Sequence, residues 1–96
     1  MKKIKIYQAE LNCKWVFFDY EFAKENNFSM EWYKLVAEFN DEDESDDITI
    51  LNRMWKIGND GTLQQNFRMR SISMSDIIEI DGKRYYVDTF GFKEVE

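Results

Sequence analysis

The dipeptide Asp81-Gly82 is the feature that most narrows the folds open to this chain. It lies between two β-prone runs, Ile77-Ile78-Glu79-Ile80 and Arg84-Tyr85-Tyr86-Val87-Asp88, with Lys83 completing the connection. Asp-Gly in that setting predicts a tight hairpin, because glycine tolerates the positive φ that such turns require. An antiparallel pair therefore anchors the last third of the chain, and the rest has to pack on it. Downstream, Thr89-Phe90-Gly91 turns into a last short strand, Phe92 to Val95.

Upstream, Lys2 to Leu11 alternates Ile4 and Ile6 against Lys3, Lys5 and Tyr7, the period of a strand. After a break at Asn12-Cys13, the aromatic run Lys14-Trp15-Val16-Phe17-Phe18 reads as a second strand. Asp19 can cap a short helix, Tyr20 to Asn26, that turns Phe22 and Ala23 inward. Met30 to Phe39 supports two readings. Trp32, Leu35, Val36 and Phe39 fit a helical face capped by Ser29, whereas Tyr33, Leu35, Ala37 and Phe39 alternate as on a strand. The acidic loop Asn40 to Asp47 ends as the cap of a helix over Asp47–Ile57. On that helix Ile48, Leu51 and Trp55 stack on one side with Ile50, Met54 and Ile57 beside them, and Gly58 terminates it.

These elements predict an α+β fold: a mainly antiparallel sheet of about five strands on the Asp47–Ile57 helix, with a shorter helix at Asp19–Asn26. The expected core is Trp15, Phe17, Phe22, Leu35, Phe39, Leu51, Trp55, Ile77, Tyr86 and Phe92. A length of 96 residues makes residues 1–96 a single domain, and 44% hydrophobic residues suffice for its core.

Charge and composition exclude several functions. A net charge of −6 disfavours direct nucleic-acid binding, which needs a basic face, and repels anionic lipid. No apolar run approaches the ~20 residues of a membrane span, and Met1-Lys2-Lys3 leads into alternation rather than a signal sequence. A lone cysteine, Cys13, suits a reducing cytoplasm. Histidine is absent, so the commonest general base and metal ligand are both missing. Gly58-Asn59-Asp60-Gly61 is too short for a phosphate loop. Asp41, Asp43, Ser45 and Asp47 have the early spacing of a calcium loop, but Asp46 stands where glycine is needed and Asn52 where glutamate is. No enzymatic activity, metal or organic cofactor is expected.

Two surfaces remain as candidates. Arg68, Met69, Arg70, Ser73, Met74 and Asp76 combine interface-favoured Arg and Met in an irregular segment, which could meet an acidic protein partner. Ser71, Ser73, Ser75 and Asp76 also suit a turn shaped by side chains bonding their own backbone, with Arg68 or Arg70 pairing Asp76 or Asp88. The alternative is an acidic strip, Asp41, Glu42, Asp43, Glu44, Asp46 and Asp47 with Glu38, that mimics DNA phosphates and inhibits a DNA-binding defence enzyme. The plainer reading of that strip is a solvated loop.

Arg70-Ser71-Ile72-Ser73-Met74-Ser75-Asp76-Ile77-Ile78, followed by Tyr85-Tyr86-Val87-Asp88-Thr89-Phe90-Gly91-Phe92, resembles the C-terminal motif of the YodL-like domain. The family pattern has a Pro-containing loop before the motif, where this chain reads Thr62-Leu63-Gln64-Gln65-Asn66-Phe67 and contains no proline. The resemblance implies an extended segment at Met30–Phe39 and a helix before the motif. It implies an accessory protein of a mobile genetic element, such as a conjugative transposon, and brings no catalytic residues with it.

Overall fold

A computed structural model describes residues 1–95. Strand β1 spans Lys2–Ala9, helix α1 Tyr20–Glu25, β2 Tyr33–Asp41, helix α2 Asp47–Asn59, β3 Ile77–Ile80, β4 Lys83–Val87 and β5 Phe92–Glu94. The five strands form one antiparallel sheet in the order β2-β1-β3-β4-β5. The α+β arrangement read from the sequence is the one observed.

The hairpin forms as its sequence dictates. Ile80 pairs with Lys83, leaving Asp81 and Gly82 as the two loop residues at φ 48° and 87°. Positive φ at both positions is the primed turn whose twist matches the flanking strands. Asp81 also joins the hairpin to the neighbouring strand. Its amide donates to the Lys3 carbonyl at 2.9 Å, and its Oδ1 accepts from the Lys3 amide at 2.7 Å.

Alternation along β1 gives the sheet two covered faces. Ile4 and Ile6 point with Ala37, Ile78, Ile80 and Val87 toward α2, where Ile50, Leu51 and Met54 meet them. On the other face Tyr86, Ile77 and Ala9 are covered by Trp15, Tyr20 and Ala23. That second face is buried only in part. Further along it, Glu79 pairs with Arg84 at 3.0 Å and Lys5 at 3.9 Å, while Lys3 reaches Glu38 at 3.1 Å. Opposite charges on adjacent strands replace apolar packing there.

Some sequence expectations are corrected. Lys14–Phe18 is not a strand but a series of turns, with Val16 N donating to Cys13 O and Phe18 N to Trp15 O. Trp15 is the reason: it inserts into the second core at 2% exposure, and the backbone curls around it. Met30–Trp32 forms a 3-10 turn capped by Ser29, so the strand begins at Tyr33. Gly58 does not end α2, which continues to Asn59. Of the expected core, Trp15, Leu51, Ile77 and Tyr86 are buried and Phe22, Phe39 and Phe92 half-buried. Phe17 and Leu35 are exposed; on α2 Trp55 and Ile48 are exposed as well, because Ile50, Leu51, Met54 and Gly58 form the buried stripe instead.

Gly58 faces Ile72. A β-carbon added at Gly58 would lie 2.4 Å from Ile72 Cδ1 and 3.2 Å from its Cβ, so a rotamer change alone cannot relieve the clash. Alanine normally stabilises a helix interior by about 1 kcal/mol over glycine. Here Gly58→Ala should instead destabilise by roughly 1–3 kcal/mol through overpacking. Denaturant titration checks this, and Ile72→Ala should cost less in the Gly58→Ala chain than in the native one.

Candidate functional site

The segment between α2 and β3 holds little regular structure beyond a 3-10 turn at Leu63–Gln65, yet side chains fix it tightly. Gln8, at the end of β1, is its clamp. Gln8 Oε1 accepts from the Arg70 amide at 3.0 Å, and Gln8 Nε2 donates to the Arg70 carbonyl at 3.0 Å. The same nitrogen reaches Asp76 Oδ2 at 3.1 Å, and that oxygen also accepts from the Ser73 amide at 3.0 Å. Gln64 Nε2 closes the other end on the Gly58 carbonyl at 2.9 Å. The buried side-chain atoms left without a partner among the described residues, Gln64 Oε1, Arg70 Nη1 and Asp76 Oδ1, all belong to residues of this network.

Ser75 ties the segment to the aromatic face. Its Oγ accepts from the Phe17 amide at 3.0 Å, and its carbonyl from Tyr33 Oη at 2.6 Å. Tyr33 in turn accepts from Trp15 Nε1 at 2.9 Å. Phe17 and Ser75 have φ of 68° and 86°, values that cost L-residues about 1–2 kcal/mol each. The bond between them holds both in place. Phe17 thereby projects outward, with the Arg70 guanidinium 5.5 Å above its ring.

The residues named from sequence are thus divided by the fold. Arg68 is exposed, and Met69, Arg70, Ser73 and Met74 are half-buried. Asp76 is 1% exposed and takes no part in a contact surface. It forms no ion pair with Arg68 or Arg70; the Arg70 Nη2 donates to the Ala9 carbonyl at 2.7 Å. Asp88 caps a turn, accepting from the Tyr20 amide at 3.2 Å and the Thr89 amide at 2.8 Å. Arg68, Met69 and Arg70 come together with Lys34, Leu11 and Val36 along an open groove of about 360 Å3. Lys34, Val36 and Leu11 were not legible as site residues, since only the sheet brings β1 and β2 beside the later segment.

The acidic strip lies at the other end of β1, where Lys2 pairs with Asp41 in the sheet. Its aspartates are turned to donors within the chain. Asp41 and Asp43 meet Arg53, Asp46 caps α2 through the Thr49 amide at 3.0 Å, and Asp47 accepts from Tyr85 Oη at 2.5 Å. Glu44 meets the N-terminal ammonium, and Glu42 is exposed. Among the described residues no three metal-ligating side chains converge. Burial pushes the Cys13 thiol up, away from the reactive thiolate.

Burial also raises the Asp76 carboxyl from 3.8 to about 6, against the lowering effect of the Ser73 amide, Gln8 and Arg70. A raised carboxyl binds its proton more tightly in the folded chain, so its contribution to stability is greatest below about pH 4 and declines as pH rises to about 6. The decline is on the order of 3 kcal/mol for a shift of this size. The surface caps Asp43, Asp46 and Asp60 are lowered by their hydrogen bonds and act in the opposite sense, losing stabilisation as pH falls through the acid range. Asp76→Asn should remove the decline between pH 4 and 6 while leaving the acid limb, as urea midpoints measured across that range would report.

No curated protein and no solved structure matches the chain. The family model for the YodL-like domain matches residues 3–96, from the first strand through the clamped segment and the hairpin, and the chain belongs to that family.

Proposed function

We propose that this YodL-like domain is a non-enzymatic accessory protein that acts by binding another protein. The observation that carries this reading is the rigid display of Arg68, Met69 and Arg70 on irregular backbone that Gln8 clamps at both amide and carbonyl. Backbone already fixed in the free chain loses little entropy when a partner docks. Arg68 and Lys34 have no ionic partner among the described residues, so their charge is directed to solvent. The buried titrating group, Asp76, is turned to Gln8 and Ser73 rather than to a cleft. The buried lone Cys13 suits a cytoplasmic setting, and the family resemblance supports carriage on a mobile genetic element.

DNA mimicry by Asp41–Asp47 has less support, since those aspartates are engaged in capping and ion pairs that shape α2's entry. Two variants separate the readings. Arg68→Ala with Lys34→Ala should abolish capture of the partner in a pull-down from host lysate without lowering stability. Replacing Glu42 and Glu44 by Gln should leave capture intact; loss of capture there, with retention in the first variant, favours mimicry. Retention in both places the contact surface elsewhere.

A further inference from the structure

We propose that the groove beside β2 takes an extended acidic segment of the partner, laid along the free edge of the sheet. The inference rests on the protein-binding reading and specifies what the surface recognises. β2 is outermost in the sheet, so its far side carries backbone amides and carbonyls with no strand partner. An added strand would satisfy them, whereas a helix could not.

The groove's charge selects the sign of the occupant. Lys34 and Arg68 line it with no ion-pair partner among the described residues, and Arg70 lines it while donating to the Ala9 carbonyl; the lining holds a single carboxylate, Glu10, on a chain of net charge −6. A local positive field on an acidic protein steers an acidic segment to this end and repels it from the Asp41–Asp47 end. A nucleic acid offers the same sign of charge, but its long polyanion would meet the repulsion of the whole molecule.

Apolar groups set the spacing. Leu11, Val36 and Met69 line the groove together with the cations. Val36 is the extra residue of a bulge, because Ile6 pairs with Ala37 while the next residue, Tyr7, pairs with Leu35. Such a bulge re-aims a side chain, here that of Val36. A strand places alternate residues on opposite faces, so every second residue of the occupant faces the groove, and those positions should mix acidic with apolar side chains.

Selection from a random-peptide display library against the full chain, counter-selected on the Lys34→Glu/Arg68→Glu variant, tests this. Enriched peptides should carry Asp or Glu mixed with apolar residues at every second position. Their binding should weaken about tenfold or more in the charge-reversed variant and fall as salt is raised. Amide NMR should show shifts at Lys34–Val36 and Arg68–Arg70, with new exchange protection along Tyr33–Asp41. Enriched peptides without acidic bias that still map to Arg68–Arg70 overturn the acidic occupant while leaving the protein-binding reading intact. Peptides that map to Phe17, Phe18 and Phe90, no enrichment over the variant, or a single-stranded oligonucleotide binding the groove overturns the proposal outright.

Discussion

The Asp76 carboxylate lies where β1, β3 and the incoming segment meet, and the arrangement of the C-terminal half depends on it. Its Oδ2 collects the Gln8 side chain and the Ser73 amide, while its own carbonyl accepts from Val87 and its amide donates to Ser73. One residue therefore joins a neighbouring strand, a turn and the hairpin partner. An ionised carboxylate at such depth is costly, which is why its proton affinity rises. Removing it would leave the Ser73 amide and the Gln8 amide group short of an acceptor, a loss larger than that of a hydrogen bond at the surface.

The clamp has a counterpart on the opposite face. Trp15, Tyr33 and Ser75 are linked by hydrogen bonds that run from the aromatic layer into the same segment. Tyr86 lies at the middle of that layer, 4.9 Å from the Tyr20 ring, and its hydroxyl donates to the Phe18 carbonyl at 2.7 Å. The left-handed backbone at Phe17 and Ser75 is tolerated because rings and hydrogen bonds on both sides over-determine it.

Charge is separated along β1. Its first residue lies beside the aspartates that start α2, and its last residues lie beside Arg68 and Arg70. The acidic end spends most of its carboxylates on capping and ion pairs. The basic end leaves Lys34 and Arg68 exposed in a groove that Leu11, Val36 and Met69 also line.

What the sequence by itself determined are the features set by neighbours in the chain. Asp-Gly makes the hairpin turn, Asp19 and Asp46 cap their helices through amides three residues on, and Ile4 and Ile6 alternate into the core. The motif residues likewise sufficed to place the chain in its family. The spacing of Leu51, Met54 and Gly58 on one helical stripe already contained the signal for Gly58 as a packing residue, although glycine after a helical run reads as a stop. Tertiary structure alone decided which aromatic residues are inside: Trp15 packs on Phe28 in the core cluster that holds Tyr86, and Phe17, next but one along a curled backbone, is turned out. It also decided that Asp76 is buried and that Arg68 shares a groove with Lys34 and Leu11. Those outcomes depend on which strands become neighbours, and strand pairing brings together residues that no local propensity relates.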